Sequence, residues 1–190
     1  MSMYEKIVAV TDRKLALRCF PEQIRRICGM RPAALVLREK DLTPEAYEKL
    51  AEPVLEICRE FQVPCILHNF PGAARALGVK NLHLPLPVLL SLSGEEKAAF
   101  ERIGTSVHSP EQLRAAEEAG AAYVFAGHIY ESQCKPGVPP RGLEFLREIC
   151  GMSRIPVYAI GGIRRDEGQI REILDCGAAG ACILSDMMRA

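Results

Sequence analysis

The sequence predicts a compact (β/α)8 barrel, and three observations predict it. Short apolar, β-branched runs recur eight times along the 190 residues. Stretches with helical period or helix start signals separate most of them, the alternation that builds a parallel sheet covered by helices. Most runs end in polar or glycine residues, and barrels of this kind gather their chemistry at the C-terminal ends of their strands. The alternative is an open doubly wound sheet; no G-x-G-x-x-G follows the first run, which weakens a dinucleotide-binding version of it.

The predicted strands are 6–12, 34–39, 65–69, 82–84, 103–107, 123–129, 156–162 and 181–185. The helix expected over 43–61 opens with Thr43 as N-cap, Pro44 at the first helical position and Glu45 and Glu48 near its N-terminus. Its apolar residues Leu50, Val54, Leu55 and Cys58 form one stripe. A short helix is expected over 72–77. Ser109, Pro110 and Glu111 repeat the start signal for a helix that ends at Gly120, and two more helices span 142–150 and 166–176, the last closed by Gly177. Only five residues follow the eighth strand, so the eighth helix is expected to be missing or reduced to one turn. That truncation implies uncovered apolar barrel surface, and from it a homodimer.

Length alone favours one domain, 1–190, with enough chain to bury a sizeable core without staples. Lysine plus arginine number 24 and aspartate plus glutamate number 24, so the net charge is zero, which argues against nucleic-acid binding through bulk charge. No apolar run approaches the length of a membrane span, and the first residues do not resemble a signal peptide, so a cytoplasmic protein is expected. Eight cysteines in such a chain are the oddity. None forms a C-x-x-C pair, so zinc-ribbon and thioredoxin readings lack support, and buried free thiols are the plain expectation.

Strand ends carry the candidate chemistry. Strand one ends in Thr11 and Asp12, strand two in Arg38, Glu39 and Lys40, strand three in His68 and Asn69, strand five in Ser106 and His108, and strand six in His128. His83 lies within strand four. A His₃ metal site has no acidic partner at hand, so general acid–base work is the stronger reading of these imidazoles. Gly161 and Gly162 after strand seven, with Leu184 and Ser185 at the end of strand eight, have the makings of a phosphate site built from backbone amides and a helix start. The same glycines also suit a plain turn into the next helix. Arg38, Lys40 and Lys135 would bring cations to the mouth to meet a carboxylate or phosphate.

Taken together, 10–12 (VTD), 37–40 (LREK), 106–109 (SVHS), 127–135 (GHIYESQCK), Arg141 with Gly142, 159–163 (AIGGI) and Ser185 stand in the order found in the thiamine phosphate synthase and TenI superfamily, which this chain resembles from about residue 6 to 187. The resemblance implies a TIM barrel acting on phosphorylated thiazoles in thiamin biosynthesis. Two activities are known there: a synthase that joins a pyrimidine pyrophosphate to a thiazole phosphate with magnesium, and a TenI-type tautomerase that aromatises a carboxythiazole phosphate. The synthase pattern carries aspartates after strands three and four; here those places read 68–70 (HNF) and 84–90 (LPLPVLL). Histidine at 128 matches the tautomerase.

The expectation is therefore an isomerase, a thiazole tautomerase with His128 as acid–base residue and neither metal nor cofactor. Ser132, Gly162, Leu184 and Ser185 are expected to hold the phosphate. Arg38, His68, Ser106, Cys134 and Lys135 are expected to line the pocket, with His108 behind Ser106. The synthase, or a non-catalytic phosphate-binding regulatory homologue, is the alternative.

Overall fold

A computed structural model describes residues 2–132 and 137–190. Eight parallel strands close into a barrel in sequential order. They are β1 (Ile7–Val10), β2 (Ala34–Leu37), β3 (Cys65–His68), β4 (Asn81–Leu84), β5 (Arg102–Val107), β6 (Tyr123–Gly127), β7 (Val157–Ile160) and β8 (Gly180–Ile183). Hydrogen-bonded strands end sooner than the apolar runs, by two residues at β1 and β2. The residues that follow bend away from the ladder to form the mouth.

Strand alternation sorts the interior into two layers. Val8, Val10, Ala34, Val36, Tyr123, Phe125 and Cys182 pack against one another inside the barrel. Their neighbours along each strand, such as Ile7, Leu35, Leu37, Leu67 and Leu82, belong to the larger core shared with the helices. Register pairs Val36 with Ile66, His68 with His83, and His83 with Gly104, so the axis-facing residues stand side by side around the ring. Gly104 shows how tightly they fit: a Cβ there would lie 2.1 Å from the Tyr123 ring, so the strand can pass that ring only as glycine.

Nine helices among the described residues cover or cap the barrel: α1 (Phe20–Gly29), α2 (Pro44–Glu60), α3 (Pro71–Ala76), α4 (Leu86–Ser91), α5 (Gly94–Ala98), α6 (Pro110–Glu118), α7 (Gly142–Met152), α8 (Glu167–Asp175) and α9 (Ser185–Met188). Thr43 and Ser109 cap their helices through side-chain oxygens, as the start signals predict, and Asp166 does the same for α8. α1, α4 and α5 go beyond the sequence expectation. α4 and α5 are pieces of six and five residues interrupted by an extended Leu92 and too short to show a period. α5 did carry a readable signal, the capping box of Ser93 and Glu96.

The eighth helix is indeed a single turn, α9. The expectation that its shortness bares apolar barrel surface needs correcting at this spot, because α9 fills it. Met187 and Met188 are fully buried, Gln23 Nε2 donates to the Met187 carbonyl at 3.2 Å, and Arg18 Nη1 donates to the Ala190 carbonyl at 2.9 Å. No helix among the described residues is long and apolar enough to cross a membrane. The described cysteines are free thiols, most of them buried or half-buried.

Candidate functional site

Two braces shape the mouth. On the β1–β2 side the Glu39 side chain is buried, and its carboxylate accepts from Thr11 Oγ1 at 2.7 Å, from the Arg13 amide at 3.0 and 3.1 Å, and from Arg13 Nη1 at 2.9 Å. Arg13 also pairs with Asp41, which Lys14 joins. Thr11 Oγ1 in turn accepts from the Arg38 amide at 2.9 Å. Glu39 thus holds the β1 loop, while the half-buried Arg38 stands near enough to His68 for its charge to lower the pKa of that imidazole.

The floor between β3 and β5 is aromatic and neutral. The His83 ring stacks on Phe125 at 4.1 Å and lies 5.7 Å from the His68 ring. His83 Nε2 shares a 3.0 Å hydrogen bond with Ser106 Oγ, and the Nδ1 atoms of both histidines are buried without a hydrogen-bond partner. Burial pushes the His68 pKa down to about 3, with the charges of Arg38 and Lys40 adding to it. His83 is lowered well below its ordinary range, again chiefly by burial. Both imidazoles are therefore uncharged near neutrality, which removes them as proton donors there. The backbone beneath His68 is pinned by Tyr47 of α2, whose hydroxyl donates to the Leu37 carbonyl at 2.6 Å and accepts from the His68 amide at 2.9 Å.

The second brace joins the β7 and β8 loops. Arg165 binds Asp186 Oδ2 through its amide at 2.7 Å and through Nε at 3.0 Å. This holds Gly161 and Gly162 beside Leu184, the N-cap of α9, and Ser185, its first residue. Gly162 has φ +70°, and a Cβ on it would meet the Glu131 carbonyl oxygen at 2.3 Å. Glycine is thus needed where the β6 loop crosses the β7 loop, one residue before Ser132. Leu184 and Ser185 follow β8, the strand next to β7 in the barrel.

His128 packs against Gly161, where an added Cβ would lie 2.2 Å from the His128 Cβ. It is buried, follows a cis Gly127–His128 peptide, and its Nε2 lies 3.1 Å from the Val138 carbonyl. His108 Nδ1 lies 2.6 Å from the Gly127 carbonyl, one strand over. His108 thus ties the end of β5 to the end of β6, and His128 ties the end of β6 to the loop that follows it. Cys134 and Lys135 lie outside the described residues. Sequence reasoning missed Arg13, Tyr47 and Arg165, and gave Glu39 a place at a strand end but no role. Their signal was complementary charge at strand ends, Arg13 against Glu39 and Arg165 against Asp186, visible only once adjacent strands are known to be neighbours.

The magnesium of the synthase pattern calls for carboxylates after β3 and β4. Those loops offer His68, Asn69 and Phe70, then Leu84, Pro85, Leu86 and Pro87. Among the described residues no group of three or more histidine, cysteine or acidic side chains is disposed to hold a metal ion. The residues present do not fit that metal.

Comparison with known proteins settles the family and corrects the activity. The family model described as thiamine monophosphate synthase (TMP-TENI) matches residues 7–187. A thiamine-phosphate synthase of Syntrophomonas wolfei is 34% identical over 188 residues, covering 95% of this chain and 87% of the relative. Thiamine-phosphate synthase 2 of Streptococcus pneumoniae is 30% identical over 191 residues, covering 97% and 88%. Among solved structures, a thiamine phosphate pyrophosphorylase from Pyrococcus furiosus superposes with a TM-score of 0.83 at 27% identity, covering 98% of this chain and 89% of that one. These relatives are synthases, hence transferases, and they overturn the expectation of an isomerase, the thiazole tautomerase, in favour of its alternative. With that reading goes the assignment of His128 as the tautomerase acid–base residue. A full-length family match and relatives of this identity and coverage carry one conclusion: the chain belongs to the thiamine monophosphate synthase (TMP-TENI) family.

Proposed function

We propose that this chain joins a pyrimidine pyrophosphate to a thiazole phosphate, with displacement of pyrophosphate. Its relatives' names support the reading. The observation that carries it is the presence of two anion-seeking regions around one mouth. Arg38 and Lys40 stand at the end of β2, and Gly162, Leu184 and Ser185 stand at the ends of β7 and β8. A reaction between two phosphorylated substrates needs two such regions, and a neutral aromatic floor between them suits flat heterocycles.

In this reading the cations meet the diphosphate and stabilise the charge it gains as its bond to the pyrimidine methylene breaks. The glycine corner holds the phosphate of the thiazole and aims the ring at that carbon. Ser106, held by His83, stands between the two. Because His68 and His83 stay uncharged, the floor neither competes for the anions nor repels a developing carbocation. The test is incubation of the full chain with both substrates, with and without magnesium, following the coupled phosphate product by mass. Product above the uncatalysed background is expected; none in either condition refutes the proposal.

A further inference from the structure

The family implies magnesium, and the mouth of this barrel is built against it. Carboxylates on the β1–β2 side are already engaged: Glu39 by Thr11 and Arg13, Asp41 by Arg13 and Lys14, and Asp12 by the Lys14 amide. The β3 end presents a buried imidazole beside Arg38, and the β4 end presents leucine and proline. A hard divalent cation takes oxygen ligands in an octahedral set and would here stand near the positive charges of Arg38 and Lys40.

We propose that this chain binds the diphosphate of its substrate directly on Arg38 and Lys40, with no divalent cation between protein and anion. The proposal rests on the coupling reading above and adds to it how the leaving group is held. Arg38 is half-buried, its amide held by Thr11 and its charge felt by His68 at the end of β3. A guanidinium placed in advance offers paired donors to two phosphoryl oxygens. His68 supplies bulk without charge at the place where a carboxylate would demand a metal to bridge it to the anion.

Inorganic pyrophosphate is the probe. It is titrated by calorimetry into the full chain, once in EDTA and once in excess magnesium, with the heat of magnesium–pyrophosphate association subtracted. The two dissociation constants are expected to agree within about threefold, and Arg38→Gln to weaken both by about tenfold or more, the loss typical of a charged hydrogen bond. Manganese(II) added to the protein alone is expected to keep its free-ion paramagnetic signal up to millimolar concentration. His68→Asp, checked for folding by thermal melting, is expected to weaken binding in EDTA and to make it respond to magnesium.

Tightening of about tenfold or more by magnesium in the wild-type chain, uptake of manganese at micromolar concentration, or no pyrophosphate binding in either buffer overturns the proposal. Its failure is separable from that of the coupling reaction. Coupling that proceeds while pyrophosphate needs magnesium sinks only the metal-free site. Metal-free binding without coupling sinks only the reaction.

Discussion

Replacing Tyr47 by phenylalanine removes one oxygen atom from the structure and tests how the floor of the mouth is held. The phenol is fully buried, donates to the Leu37 carbonyl at 2.6 Å and accepts from the His68 amide at 2.9 Å, so it links the ends of β2 and β3. Burial raises its pKa far above the ordinary phenol range, so it acts as a neutral hydroxyl at every working pH. Phenylalanine keeps the ring and its contact with Phe70, 4.5 Å between centroids, so the packed volume barely changes. What changes is that an amide and a carbonyl at the strand ends lose their partner. Each such loss costs about 1–3 kcal/mol, so Tyr47→Phe is expected to destabilise the fold by about 3 kcal/mol. For a chain of this length that lowers the melting temperature by roughly 6–12 °C. Calorimetry measures the shift, and hydrogen exchange at the His68 amide locates it, with faster exchange expected there. A loss below about 0.5 kcal/mol with unchanged exchange at His68 would refute the reasoning, because it would mean that the strand ends need no such link.

Two further outcomes are expected. Ser185→Ala removes a hydroxyl from the glycine corner, and it should raise KM for the thiazole phosphate by about tenfold while changing kcat little, as loss of uniform binding does; an unchanged KM counts against the phosphate corner. Acid stability should report the buried imidazoles. The unfolded chain takes up a proton at His68 near its ordinary 6.5, whereas the native chain resists until about 3. The unfolded state therefore binds more protons in that window, so stability is full above about 6.5 and is lost as the pH falls toward 3, with His83 acting in the same direction. His68→Gln should flatten this slope in urea titrations across the window, and an unaltered slope would remove His68 as its source.

The barrel was legible because its causes are local. Alternating runs of β-branched residues and capped helices repeat along the chain, and both periods appear in a single sequence. Thr43, Ser109 and Asp166 cap their helices in the structure. That the loops carrying Gly162 and Ser185 stand side by side was legible too, since they follow strands that a barrel makes neighbours. α1 was missed although Pro21 and Glu22 mark its first turn, since Cys19 before it offers no side-chain cap.

Activity was read wrongly, and the reason is instructive. The choice rested on residue identity at three strand ends, and His128 was given its role by its place at the end of strand six and its match to the tautomerase. Its imidazole in fact meets the Val138 carbonyl in the loop after β6. The missing carboxylates were seen correctly, but a change of metal use is not the same as a change of reaction class.

What the sequence determined by itself is the set of local preferences: eight strands, most of the helices, the shortened last helix and the polar strand ends. Only the tertiary structure decided which of those ends act together. Closing the barrel sets Arg13 against Glu39 and Arg165 against Asp186, bonds 26 and 21 residues apart in sequence. It also buries His68 and His83 side by side, where low dielectric and nearby cations strip them of charge. A histidine's identity is written in the sequence, but its charge is set by what surrounds it, and those surroundings exist only once the strands have met.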